Sequence, residues 1–241
     1  MKTQNSLDTG NQQGFTLVEL MITLAMSAII VSAIYSAYII QQKTYYTQGQ
    51  VVEMQQNIRA GLELMSSEIR MAGYGSAGCA QIVVATGSQL QFRSDLNNDG
   101  DCDDTNEDVT YSLAGVDADS NGVVDDIDTD NDGMVDAAVT LTRTPGGGGA
   151  QAVSDGIQAI EFYYTINDPG TPPTLMPTAA QLEQIQTVQI TMLAVASQRD
   201  PKYTNADTYR TGSNVTWGPF NDNFRRRILT SSVNVRNQGL N

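Results

Sequence analysis

The chain has 241 residues, room for one ordinary domain and an added element, and carries a formal net charge of −14. That sign argues against nucleic acid as a partner, and the lack of any histidine removes the commonest general base, zinc ligand and pH switch. The acidity is local: fifteen of the 27 Asp and Glu residues fall between Asp95 and Asp136, where there is no Lys or Arg, and the rest of the chain is close to neutral.

Residues 1–14 are polar, with Lys2 and Asp8 as their charges. From Phe15 to Ile40 there follow 26 residues whose one charge is Glu19. At 1.5 Å per residue this makes roughly 39 Å of helix, enough to cross a ~30 Å hydrocarbon core. A secretory signal would have a shorter apolar core and a cleavage site of small residues after it. A plain anchor has no reason to keep an acid near its end, since a charge in lipid costs roughly 2.5–3.5 kcal/mol. A cut between Gly14 and Phe15 accounts for both features. It would expose an amine one turn from Glu19, at the positive end of the helix dipole. The carboxylate of one chain could then pair with the amine of the next and pin their register.

The stretch GFTLVEL, residues 14–20, resembles the processing site of type IV prepilins: glycine before the cut, phenylalanine after it, glutamate at the fifth mature position. The resemblance implies that a prepilin peptidase removes the leader, residues 1–14, and methylates Phe15. It implies that Gly14, Phe15 and Glu19 carry processing and assembly. The implied partners are other pilins, met through the N-terminal helix, and an inner-membrane assembly platform. The leader is less basic than many in that family, and the family's frequent proline midway along the apolar helix is absent, position 36 being Ser36.

Past Ile40 the chain turns polar but keeps a helical period. Val51, Ile58, Leu62, Met65 and Ile69 recur at spacings of three, four and seven, while Glu53, Arg59, Glu63 and Arg70 fall elsewhere. Gly73 and Gly75 end the pattern. One helix over 15–72 is expected, roughly 87 Å if unbroken, with 15–40 in the membrane; two helices parting near Gly49 are the alternative. Residues 62–79, LELMSSEIRMAGYGSAGC, resemble the helix end of minor pilins of the PilW type.

Strands are expected at 81–85, 89–93, 109–113, 139–143, 157–166, 187–196 and 226–235, all rich in Val, Ile, Thr and Tyr between Gly, Asn, Asp or Pro. Val188, Ile190 and Met192 alternate onto one face. A helix laid over an antiparallel sheet makes the chain α+β, and the resemblance makes it a type IV pilin fold, with a β-rich globular domain at 73–241. The tail, 222–238, resembles the last strand of PilW-like and J-type minor pilins. Arg225, Arg226 and Arg227 read as a solvated strand face or as partners of acidic neighbours, since the aromatic interleaving of a nucleic-acid site is missing.

The acidic insert, 95–136, carries the spacing of calcium loops. Asp117, Asp119, Asn121, the Val123 carbonyl, Asp125 and Asp128 follow the order of an EF-hand loop, with Gly122 at the sharp turn. A second loop starts at Asp128 and continues through Asp130, Asp132, Gly133, Met134 and Asp136, and its twelfth place, Val139, offers no side-chain ligand. The tandem resembles thrombospondin type 3 or dockerin-like repeats, with Val124 and Val135 as inward anchors. Asp95, Asn97, Asp99, Asp101 and Asp103 begin a third loop around Gly100, whose twelfth place is Asn106. All these ligands are hard oxygens, so calcium is the expected cofactor. Cys79 and Cys102 are too few for a Cys-rich metal site and suit one disulfide in an exported protein.

The expectation is therefore a structural subunit and not an enzyme: a minor type IV pilin that waits in the inner membrane, single-pass, and moves into an extracellular pilus, at the tip, where minor pilins prime assembly. A J-type pseudopilin of type II secretion is the neighbouring reading. A calcium-dependent adhesin on an uncleaved anchor is the reading from another class.

Overall fold

The computed structural model describes residues 14–75, 81–115, 122–124 and 140–237. Helix α1 runs Leu17–Ile69, 53 residues with Gly49 inside it. The chain divides into two units, Met1–Thr47 and Gln48–Asn241, so α1 contributes its first part to one and its second part to the other.

In the first unit Thr16 opens the helix. Its hydroxyl accepts the Glu19 backbone N–H at 3.3 Å, which is one half of a Thr-x-x-Glu capping box. The residues of α1 from Leu17 to Tyr46 are all exposed. Its small polar side chains turn inward on their own backbone: the hydroxyls of Thr23, Ser27 and Ser36 donate to carbonyls one turn back, at 2.9, 2.7 and 2.9 Å. A helix in lipid must satisfy its polar groups in this way.

The second unit is built on the remaining turns of α1. Met54, Ile58, Gly61, Leu62, Met65 and Ile69 form its buried face. The spacing expected from the sequence is there, with Met54 and Gly61 added and Val51 only half-buried. Strands β1 (Ile82–Ala85), β2 (Leu90–Arg93), β3 (Asp108–Leu113), β4 (Leu141–Pro145) and β5 (Gln151–Ser154) make a five-stranded antiparallel sheet in sequence order. Strands β6 (Ile157–Ile166), β7 (Ile185–Val195) and β10 (Arg226–Asn234) make a three-stranded sheet with β7 in the middle. Between β7 and β10 lie β8 (Tyr209–Arg210) and β9 (Thr216–Trp217), paired with each other.

The helix meets both larger sheets. A side chain at Gly61 would have its Cβ 3.3 Å from Leu141 of β4, from Ser154 of β5 and from Met192 of β7, a tight fit that glycine relieves. The core under the helix joins Ile58, Leu62, Met65 and Ile69 to Leu90, Tyr111, Leu141, Phe162, Ile190 and Met192. Each such side chain contributes about 1.5–3 kcal/mol by burial.

The sheet of β6, β7 and β10 has a second covered face. Ala159 of β6 and Leu193 of β7 pack with Tyr209 and Trp217 from β8 and β9. The period-two pattern of β7 therefore fades: Thr191 and Leu193 are as buried as Ile190 and Met192. Residues 122–124, the described part of the acidic insert's middle, add to the start of β6 through the Val123–Ala159 bridge. There Ile160 N–H donates to the Gly122 carbonyl at 2.9 Å and Val124 N–H to the Gln158 carbonyl at 3.1 Å.

Candidate functional site

The assembly residues lie where α1 starts. Gly14 and Phe15 precede its first turn, and Phe15 is 84% exposed. Glu19 occupies the third helical position, where the dipole and the Thr16 cap both favour an acid. Among the described residues its carboxylate has no hydrogen bond and no ion pair. The capping spacing from Thr16 to Glu19 was visible in the sequence, but the membrane question masks it. Residues 1–13 of the expected leader lie outside the described residues.

A polar clamp holds the inner part of α1 to the first sheet. Glu68 receives the Tyr111 hydroxyl at 2.6 Å and the Arg143 Nε at 3.0 Å on each oxygen. Arg143 Nη1 reaches on to Asn106 Oδ1 at 3.0 Å. Burial, and then the hydrogen bond to Glu68, push the Tyr111 hydroxyl far above the usual tyrosine range. Sequence periodicity places Glu68 on no apolar stripe, so the clamp had no signal there.

The arginine run divides as its acidic neighbours dictate. Arg226 is buried, binds Asp222 through Nη1 and Nη2 at 2.6 Å each, and lies 3.9 Å from the Phe220 ring centroid. Arg225 pairs with Asp200 at 2.9 Å and stacks 4.3 Å over Tyr203. Arg227 is exposed.

Of the three expected calcium loops, the structure describes the one between β2 and β3. Its two feet are tied by strand pairing: Arg93 faces Asp108 and holds it at 2.9 Å, and Ser94 N–H donates to the Glu107 carbonyl at 2.9 Å. Asp95, Asp99 and Glu107 each place a carboxylate oxygen within 4.8 Å of the others. Asp95 and Glu107 are 2% exposed and Asp99 is exposed. Gly75, at φ +94°, packs on Asp95, and a Cβ there would sit 2.5 Å from the Asp95 carbonyl oxygen.

Within this loop the expected ligands part company. Asp101 and Asp103 are exposed and stand outside the carboxylate group, Asp101 Oδ1 accepting the Asp103 N–H at 3.1 Å. Asn97 makes a turn, its Oδ1 accepting the Asp99 N–H at 3.0 Å. Asn106, at the twelfth place, turns the chain at φ +76° and faces Arg143. The acid beside Asp95 is Glu107, one place later, because hairpin pairing rather than an EF-hand count closes the loop.

The other two loops are described only at 122–124. Gly122 takes φ +84° and Val124 is 5% exposed, as a turn glycine and an inward anchor should be. Val123 is half-buried. Asp117, Asp119, Asn121, Asp125, Asp128, Asp130, Asp132, Met134 and Asp136 lie outside the described residues, as does Cys79. Cys102 is buried in the β2–β3 loop.

The model of the family described as Type IV Pilus-assembly protein W matches residues 127–237. The prokaryotic N-terminal methylation motif matches residues 9–35, across Gly14, Phe15 and Glu19. Over these two stretches the chain is PilW-like, behind an N-terminus of the type IV pilin kind. A type IV-like pilin from Thermus thermophilus is similar in structure, with a TM-score of 0.41 and 13% identity over 76% of this chain and 97% of that one. No curated protein matches the chain. A PilW-like pilin is a structural subunit, not an enzyme, and its work is done among other pilins. The motif and the apolar part of α1 anchor it in the membrane by its N-terminus. The loop with Asp95, Asp99 and Glu107 falls between the two matched stretches.

Proposed function

We propose that this pilin is processed between Gly14 and Phe15 by a prepilin peptidase. It is then drawn from the inner membrane by the assembly platform into the pilus, where it primes assembly at the tip. The observation that carries the reading is the exposed apolar start of α1 with its one unpaired acid, Glu19. An apolar surface of this length needs lipid or other helices around it. A lone carboxylate on it is stabilised when a neighbour brings an amine, and the new N-terminus of an adjacent pilin is such an amine. Intact-mass spectrometry of the pilin from its host tests the first step. A mature chain starting at N-methylated Phe15 supports the reading, and a chain that keeps residues 1–14 overturns it in favour of an uncleaved anchor.

The repeated acidic loops at 117–136 serve, in this reading, as calcium-held surface elements that fix the shape of the globular unit outside the cytoplasm. The φ of Gly122 and the burial of Val124 support it. A bridge between Cys79 and Cys102 would tie the segment after α1 to the β2–β3 loop, and closing a loop of that length is worth roughly 3 kcal/mol. Alkylation before and after reduction, read by mass, tests the bridge: thiols that react without reductant contradict it.

A further inference from the structure

We propose that the β2–β3 loop is a calcium site whose closing ligand is Glu107, with Asp95 and Asp99 as the other carboxylates. The deciding observation is how the two buried acids use their oxygens. Glu107 Oε1 accepts the backbone N–H groups of Leu96 and Asn97 at 2.8 and 3.3 Å. Asp95 Oδ2 accepts the Gly100 N–H at 3.2 Å. The second oxygen of each, Glu107 Oε2 and Asp95 Oδ1, is buried and has no hydrogen-bond partner. A buried polar atom without a partner is costly, and a buried carboxylate more so. Two such acids stand together here, and the nearest arginine of the hairpin, Arg93, is engaged by Asp108.

One bound cation resolves all of this. Oxygens held about 2.3–2.6 Å from calcium on opposite sides lie roughly 5 Å apart, which matches three carboxylates within 4.8 Å of one another. The donors are hard oxygens, and the loop backbone already holds one oxygen of each carboxylate, Asp99 Oδ1 accepting the Asp101 N–H at 3.1 Å, as ligands supported from behind should be. Asp99 Oδ2, which accepts from Asn97 Nδ2 at 3.0 Å, exchanges that bond for the cation. Magnesium prefers fewer protein carboxylates and more water. The cation would lock the two feet of the hairpin and convert repulsion between the acids into cross-linking.

The site stands apart from filament assembly, and its test uses no filament. The full-length pilin in detergent is stripped with EDTA and dialysed against radiolabelled calcium at about 2 mM, above the ~10⁻⁴–10⁻³ M range of extracellular calcium modules. Glu107→Gln is expected to bind one ion fewer per chain than the native pilin, while Asn106→Gly, which keeps the positive φ, binds the native number. In EDTA, Glu107→Gln is expected to melt at or above the native temperature, because the substitution removes a buried repelling charge and keeps the acceptor for Leu96 and Asn97. An unchanged ion count in Glu107→Gln overturns the proposal. So does loss of the ion in Asn106→Gly alone, or a Glu107→Gln chain that is unfolded without calcium, since the carboxylate would then serve the fold rather than a metal.

Discussion

The two parts of α1 share one secondary structure and have opposite surroundings. Before Thr47 the apolar side chains are exposed all round, Ile29 at 71% and Ile34 at 64%. After Gln48 a single stripe is buried, with Met65 at 0% and Ile58 at 1%, and most of the remaining positions are polar, Val52 and Leu64 being exposed apolar exceptions. The difference teaches that helix formation and burial are separate choices of the sequence. Apolar residues on every side of a helix leave packing to lipid or to other helices, while an apolar residue at every third or fourth position specifies one partner surface.

The polar clamp on the inner part gives the strongest way to break this contrast. Arg143→Met leaves Glu68 half-buried without its cation and is expected to cost about 3–5 kcal/mol. The double variant Glu68→Gln with Arg143→Met should recover part of that loss. Chemical denaturation followed by the one tryptophan, Trp217, which is 2% exposed, measures both. Met65→Ala on the same face is expected to cost about 2–5 kcal/mol. Ile29→Ala on the exposed part should leave the same unfolding curve within about 0.5 kcal/mol. Equal effects of Met65→Ala and Ile29→Ala would erase the distinction between the two parts.

Alkali tests the clamp from another side. Tyr111 is neutral in the folded pilin well above the pH at which a free tyrosine, with its pKa of 10.0, ionises. Its contribution to stability is therefore complete below pH 10 and falls as pH rises beyond it. Tyr164, buried with its hydroxyl donating to the Thr86 carbonyl at 2.8 Å, acts in the same direction. Tyr111→Phe should flatten the alkaline loss of stability, and an unchanged slope would contradict the assignment.

The two glycines within α1 sharpen the comparison with the smallest effects. Gly61→Leu forces a side chain against three neighbours at 3.3 Å and is expected to cost about 1–3 kcal/mol. Gly49 has nothing within 4 Å, so Gly49→Ala should be neutral or stabilise the helix by up to about 1 kcal/mol. A destabilising Gly49→Ala would mean that a partner surface covers that point.

The helix and the long strands were legible because their side chains repeat. β6 was expected over 157–166 and forms as Ile157–Ile166, and the ladder of β7 with β10 follows the alternation of Val188, Ile190 and Val233. What was not legible is short or depends on distant chain. β5 has four residues, two of them exposed, and β8 and β9 have two each, too few for any period. The burial of Thr191 and Leu193 depends on the layer that β8 and β9 add, which no local pattern announces. Glu107 escaped because a twelve-place count ends at Asn106, whereas strand pairing between Ser94 and Glu107 decides which acid returns to Asp95.

In the proposed assembly Glu19 is the residue that joins one pilin to the next. Its direct test is the amount of Glu19→Leu pilin found in sheared pili, against the native chain at equal membrane level. Normal processing and membrane insertion with little or no variant in the filament is the expected result. Incorporation equal to the native pilin would contradict it.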